Sequence, residues 1–215
     1  MKRISILLVD DHVVILRGLH ALLGCKPGWR IVGEAYDGRE AIALASALHP
    51  DLIIVDISMP LLNGLDAIAP LLRVAPQSRI LVLSMHDEAE LIERALQAGA
   101  SAFVLKSDAE QNLLKAVETV LCGKRFVSPS ATRIVLDSPA SIRRSRKSAR
   151  AFLTGREQEV VQLLAEGYSN KEVASLLAIS VRTAENHRAR LSKKLGLRSI
   201  SELVRFAIRN HIIEA

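Results

Sequence analysis

A chain of 215 residues can bury two modest cores, and 49% hydrophobic residues with only 3% aromatic ones describe a molecule built on Leu, Ile, Val and Ala. No apolar run approaches the roughly 18 residues of a membrane-spanning helix, and no cleavage site follows the opening "MKRISILLVDDH", so a cytoplasmic protein without membrane contact is expected. The formal net charge of +6 is unevenly spread: residues 1–136 carry 14 basic and 15 acidic side chains, 137–150 carry 5 and 1, and 151–215 carry 10 and 7. Only the second half is therefore expected to meet a polyanion. Cys25 and Cys122 lie far apart without metal-ligand spacing and read as buried free thiols.

In chain order, "ISILLV", "RIVGEAY", "LIIVDI", "RILVLS" and "SAFVL" read as five strands. The segments between them have helical period. "VVILRGLHALL" places Val14, Gly18, Leu19, Leu22 and Leu23 on one face, and "EAELIERALQAG" and "AEQNLLKAVETVL" repeat the pattern. This (βα)5 alternation predicts an α/β, flavodoxin-like, doubly wound parallel sheet, whose ligands sit at the carboxyl ends of the strands. Asp10 and Asp11 follow the first strand, Asp56 closes the third, Ser84 closes the fourth and Lys106 lies just past the fifth. Each has an ordinary explanation as a helix cap or a solvated side chain, but their joint placement does not. Three carboxylates on one rim repel one another unless a cation is present, and all-oxygen ligation with room for water and phosphate suits Mg²⁺. One carboxylate can then attack phosphorus while Lys106 neutralises the phosphoryl oxygens and Ser84 donates a hydrogen bond.

The set Asp10-Asp11, Asp56 followed by "ISMP", Ser84 and Lys106 resembles the receiver domain of bacterial two-component response regulators over about residues 3–122, and "LLVDDH" with "LVLSMHDE" resembles the NarL/FixJ subfamily. The resemblance implies that Asp56 is the phosphoacceptor, that Asp10, Asp11, Asp56 and the backbone carbonyl of Ser58 hold Mg²⁺, Asp10 mainly through water, and that a sensor histidine kinase is the donor. It also implies that Phe103 acts with Ser84 as a switch, turning inward on phosphorylation.

A connector, "DSPASIRRSRKSAR", mixes Ser, Pro and Arg without apolar period and reads as an exposed tether or, alternatively, a phosphate-contacting arm. The expected division is a regulatory domain over 1–125, a linker over 126–150 and a DNA-binding domain over 151–215.

After it come four helices. Thr154 with Glu157, Ser169 with Glu172 and Ser199 with Glu202 fit the capping-box pattern, and Gly167 and Gly196 suit helix ends. The segment from Val181 to Leu195, capped by Ser180, places Ala184, Arg188, Leu191 and Leu195 on one face, with Arg182, Asn186, Ala189 and Lys193 opposite. With the short helix before it and the basic balance, this suits a helix-turn-helix whose second helix enters the major groove.

Residues 154–197 resemble the LuxR-type DNA-binding domain through "LTGREQEVVQLLAEGYSNKEVASLLAIS" and "TAENHRARLSKKLG". By resemblance, Glu185, Asn186 and Ala189 would contact base edges, while Arg182, Thr183, His187, Arg190 and Lys193 would contact phosphates. Glu185 departs from the resemblance, since that family often has Lys or another residue there; a Glu can accept from cytosine N4 but would repel a phosphate. The last helix, with Ile200, Leu203, Val204, Phe206 and Ala207, resembles a dimerisation helix. The expected function is a phosphorylation-dependent transcriptional regulator rather than an enzyme. It would bind two-fold related half-sites of double-stranded DNA as a homodimer, with RNA polymerase as a candidate partner. Two alternatives are a regulator that keeps its first domain only for dimerisation, and an aspartyl-phosphate phosphatase. The phosphatases concerned carry a second acid two residues after the nucleophile, where this chain has Ser58.

Overall fold

The computed structural model of the chain describes residues 3–138 and 153–213, which fall into two compact units. In the first, six parallel strands stand in the order β2-β1-β3-β4-β5-β6: β1 (Ile4–Val9), β2 (Trp29–Ala35), β3 (Leu52–Val55), β4 (Arg79–Ser84), β5 (Ala102–Leu105) and β6 (Phe126–Val127). The helices between them are α1 (Val13–Gly24), α2 (Gly38–Leu48), α3 (Gly64–Val74), α4 (Ala89–Ala98) and α5 (Ala109–Leu121), the last entered through a 3-10 turn at Lys106–Asp108. All four residues of β3 are buried, the signature of a central strand covered on both faces. Leu16, Leu19 and Leu23 of α1 and Leu113, Ala116 and Val117 of α5 pack on one side with Ile6, Leu8 and Ile54. Leu7 turns the other way, where Leu44 and Leu48 of α2 close against Gly33.

Several details depart from the expectations of the sequence. Val14 is 79% exposed and Gly18 is exposed; the buried stripe of α1 is set by Leu16, Leu19 and Leu23. The first turn of α1 stands at the rim of the sheet, so its valine has nothing to cover it. Cys25 and Cys122, expected to be buried, are both exposed at helix C-termini. Residues 126–137, expected to belong to the linker, instead add β6 and a sixth helix, α6 (Pro129–Asp137). The Phe126 N–H donates to the Ser101 carbonyl at 3.1 Å and the Ser128 N–H to the Phe103 carbonyl at 2.9 Å, after which Pro129 opens the helix without needing an N–H. Beyond Ser138 the connector and its alternative role as a phosphate-contacting arm lie outside the described residues.

The second unit is helical: α7 (Gly155–Ala165), α8 (Asn170–Leu176), α9 (Val181–Leu195) and α10 (Ile200–Arg209). Both halves of the capping box form at Thr154–Glu157 and at Ser169–Glu172. At Ser199 only one half forms: its hydroxyl accepts from the Glu202 N–H, whereas the Glu202 carboxylate accepts from the Arg198 N–H. Gly196, in the left-handed region at φ 68°, ends α9. Val160, Leu163, Val173, Ala184, Leu191, Leu203 and Ala207 make the core. No described helix is long and apolar enough to cross a membrane.

Candidate phosphoryl-acceptor site and nucleic-acid interface

The parallel register brings the ends of β1 and β3 side by side, Val9 opposite Val55, so the next residues, Asp10 and Asp56, meet. The Asp56 N–H donates to the Val9 carbonyl at 2.9 Å, which fixes the acid against β1. The carboxylates of Asp10 and Asp56 are buried, and Lys106, its side chain 9% exposed, holds Nζ 2.8 Å from an oxygen of each. Asp56 also accepts from the Ile57 N–H at 2.8 Å. Burial pushes the Asp56 carboxyl up to about 6, the Asp10 charge adds to the rise, and Lys106 opposes it. Burial also works against the Lys106 charge, but Asp56 and Asp10 outweigh it and raise its pKa.

Asp11 stands at the mouth of the site, and one ligand atom each from Asp10, Asp11, His12 and Asp56 falls within 4.8 Å of the others. Asp10 Oδ2 meets Lys106 as an ion pair but accepts no well-aligned hydrogen bond. Three carboxylates against one ammonium, with one buried oxygen lacking an aligned donor, fit a small hard cation. His12 was not foreseen in this group: its Nδ1 is 2.8 Å from Asp11 and 3.3 Å from Asp10, and the Asp11 charge raises its pKa. Its signal was simply its place after two acids at a strand end.

Ser84 is fully buried at the end of β4, where its hydroxyl accepts from the His86 N–H at 3.1 Å. Ser58 Oγ is 2.7 Å from His86 Nε2, so the side chain at the rim joins the third and fourth loops. Phe103, expected to turn inward on phosphorylation, is already fully buried on β5. Gly64 was not foreseen either: a Cβ there would stand 1.8 Å from the Asp56 carbonyl oxygen, and its N–H donates to the Ile57 carbonyl at 2.9 Å. Only the lack of a side chain lets α3 begin against the end of β3.

In the second unit, α9 presents Arg182, Glu185, Asn186, Ala189, Arg190 and Lys193 to solvent, with Thr183 and His187 half-buried, while Ala184 and Leu191 face the core. Arg188, expected on the core face, is exposed, because its long side chain carries the guanidinium past the edge of the packing. Arg182 Nη1 lies 3.6 Å from Glu185 Oε2. On α10 the expected dimer set divides. Leu203 and Ala207 are buried in the unit's own core, whereas Ile200 is exposed and Val204 and Phe206 are half-buried. The two buried residues close over the other helices and so have no surface left to offer a second copy.

The comparisons with known proteins follow this division. The model of the response regulator receiver domain matches residues 6–118, and that of the bacterial regulatory proteins of the luxR family matches residues 151–207. The transcriptional regulatory protein MctR of Rhizobium johnstonii is 35% identical over 98% of this chain and 96% of its own length. The oxygen regulatory protein NreC of Staphylococcus carnosus is 33% identical over 98% of this chain and 99% of its own. Among solved structures, the RcsB response regulator of Salmonella typhimurium superposes with a TM-score of 0.64 at 27% identity, covering 96% of this chain and 97% of that one. RcsB from the same organism bound to promoter P1flhDC with the phosphomimetic BeF3⁻ gives 0.62 at 27% identity, covering 95% and 98%. The chain belongs to the response regulators that join a receiver domain to a luxR-family DNA-binding domain.

Proposed function

We propose that this response regulator accepts a phosphoryl group on Asp56 and, in that state, binds DNA as a transcriptional regulator. The observation that carries the reading is Lys106 Nζ at 2.8 Å from both Asp10 and Asp56, with Asp56 buried at the carboxyl end of the central strand. At neutral pH a carboxyl titrating at about 6 is mostly ionised and can act as a nucleophile. An Asp56 oxygen attacks the phosphorus of a kinase phosphohistidine; the O–P bond forms, the N–P bond breaks, and the imidazole nitrogen keeps the electron pair and takes up a proton. Lys106 and the Ser84 hydroxyl are the groups that offset charge on the phosphoryl oxygens. Asp10, Asp11, Asp56 and the Ser58 carbonyl would hold Mg²⁺, which when bound supplies further charge neutralisation at those oxygens. The protein acts once per phosphorylation event rather than as a turnover enzyme, and its setting is the cytoplasm.

For DNA, the exposed side of α9 supports a recognition helix in the major groove, with Glu185, Asn186 and Ala189 toward base edges and Arg182, Thr183, His187, Arg190 and Lys193 toward phosphates. The RcsB structure on a promoter with a phosphomimetic supports the same pairing of phosphorylation and DNA. Pairing on two-fold half-sites is assigned to Ile200, Val204 and Phe206. A sensor histidine kinase supplies the phosphoryl group, and RNA polymerase is the partner at a promoter. In this reading the regulatory domain ends with α6 and the connector begins after it.

Incubation of the full chain with acetyl phosphate and Mg²⁺, followed by intact mass measurement and gel shift on selected DNA, tests this. One added phosphoryl group, absent from Asp56→Asn, together with tighter DNA binding is the expected result. Equal labelling of Asp56→Asn would move the acceptor elsewhere, and unchanged DNA affinity would favour a regulator that ignores phosphate.

A further inference from the structure

We infer that Glu185 selects cytosine at one position of each DNA half-site, and that Arg182 holds its carboxylate until a phosphate takes the guanidinium. The inference rests on the DNA-binding reading above. Glu185 stands five residues into α9 on its exposed side, next to Asn186 and one turn before Ala189, while Ala184 and Leu191 anchor the opposite side in the core. In a groove-reading helix the N-terminal residues are the ones that reach base edges.

An ionised carboxylate can only accept hydrogen bonds. Brought against DNA it is repelled by the phosphates, so its only favourable partners in the major groove are exocyclic amino groups, cytosine N4 and adenine N6. Adenine N6 lies between two acceptors, its own N7 and the O4 of the paired thymine, which oppose a group made only of acceptors, whereas cytosine N4 adjoins an acceptor on one side alone, the O6 of the paired guanine. Guanine presents two acceptors, and thymine an acceptor and a methyl group. Cytosine is therefore the base that Glu185 tolerates best; adenine offers a donor only beside opposing acceptors, and guanine and thymine leave a desolvated charge without a donor.

In the free protein Arg182 Nη1 is 3.6 Å from Glu185 Oε2, with Arg182 83% and Glu185 46% exposed. A pair this open is weak and screened by salt, so a DNA phosphate can displace the glutamate from Arg182 at little cost. The exchange turns the acid toward the bases only when the helix is seated. Glu185 thus works mainly by rejection, lowering affinity for sites without cytosine at its position rather than raising affinity for all DNA.

The test is selection of the full chain, phosphorylated with acetyl phosphate and Mg²⁺, on random duplexes, with sequencing of the bound fraction, for the wild type, Glu185→Ala, Glu185→Gln and Arg182→Ala. The wild type is expected to enrich cytosine at one position per half-site by roughly tenfold over other bases. Glu185→Ala should lose that preference and keep the rest of the site, and Glu185→Gln should move it to adenine, which a glutamine amide matches with both its donor and its acceptor. Arg182→Ala should keep cytosine while the slope of log affinity against log salt becomes shallower by roughly 0.9 per half-site. An unchanged preference at every position in Glu185→Ala overturns the cytosine assignment, and loss of cytosine in Arg182→Ala overturns the exchange. A wild type that enriches no sequence would instead remove the DNA-binding reading, and this inference with it.

Discussion

Gly64 is packed so closely on Asp56 that a Cβ would stand 1.8 Å from the Asp56 carbonyl oxygen and 2.8 Å from its carbonyl carbon. Both are backbone atoms, so no side-chain rotation relieves the overlap. Gly64→Ala is expected to destabilise the receiver by about 2 kcal/mol or more, the cost of overpacking a rigid site, and to slow phosphorylation by displacing Asp56. Thermal melting and acetyl phosphate labelling of the same sample check it; wild-type values for both would show that the loop yields freely.

The raised pKa of Asp56 has a defined sign. Its carboxyl titrates at about 6 in the fold against 3.8 in the unfolded chain, because burial disfavours the charge. The fold therefore prefers the protonated form: the group's contribution is fully present below about pH 4 and is lost as pH rises through about 6. That difference corresponds to about 3 kcal/mol. Without Mg²⁺, Asp56→Asn should thus be more stable than the wild type near neutral pH, by up to that amount, and melt higher, with the gain shrinking toward pH 4. A variant that melts lower at neutral pH would mean that the bond to Lys106 outweighs burial.

On α10, neighbouring residues should separate folding from pairing. Leu203 is 3% exposed in the core, so Leu203→Ala should cost about 2–5 kcal/mol of stability whatever the oligomeric state. Val204→Asp, on a half-buried position, should leave the domain folded and weaken dimer formation and binding to paired half-sites. Sedimentation with melting curves distinguishes them; a Val204→Asp protein that dimerises as the wild type does would place the dimer surface elsewhere.

Phe103 requires a similar separation. Because it is fully buried, Phe103→Ala should cost about 3–5 kcal/mol as a cavity, and its effect on DNA binding would report unfolding as much as switching. Phe103→Leu keeps most of the volume. If Phe103 couples phosphorylation to DNA affinity, this variant should label normally yet lose part of the affinity gain; a full gain would remove Phe103 from the switch.

Exposed cations on α9 give the remaining expectation. Arg190→Ala and Lys193→Ala should weaken binding to all sequences alike, each lowering the salt slope by roughly 0.9 per subunit bound. Titration over a salt series checks it, and a changed base preference would mean that they read sequence instead.

Much of this molecule was legible because its long elements carry strong periodic signals. The doubly covered β3 reads as an unbroken apolar run, and the acids follow where such runs end. β6 was not legible, since two residues before Ser-Pro carry no period and their pairing with β5 is a tertiary fact. The apolar stripe of α10 was visible, but a sequence does not say whether such a stripe meets its own domain or a second copy; Leu203 and Ala207 meet their own. Gly64 was hidden for a different reason: its neighbour is a backbone carbonyl eight positions away, which no side-chain pattern records.

The short β6 strand also bears on how such proteins can be cut and rejoined. Ser128, fully buried, gives its N–H to the Phe103 carbonyl at 2.9 Å and receives the Leu105 N–H at 3.5 Å, and Ser130 Oγ donates to Asp108 at 2.9 Å. The departing chain is thereby riveted to the strand and turn that deliver Lys106. A hybrid regulator spliced at residue 125 would strip an edge from the sheet and leave those β5 groups without partners, whereas a splice after Ser138 would keep β6, α6 and these bonds together with β5.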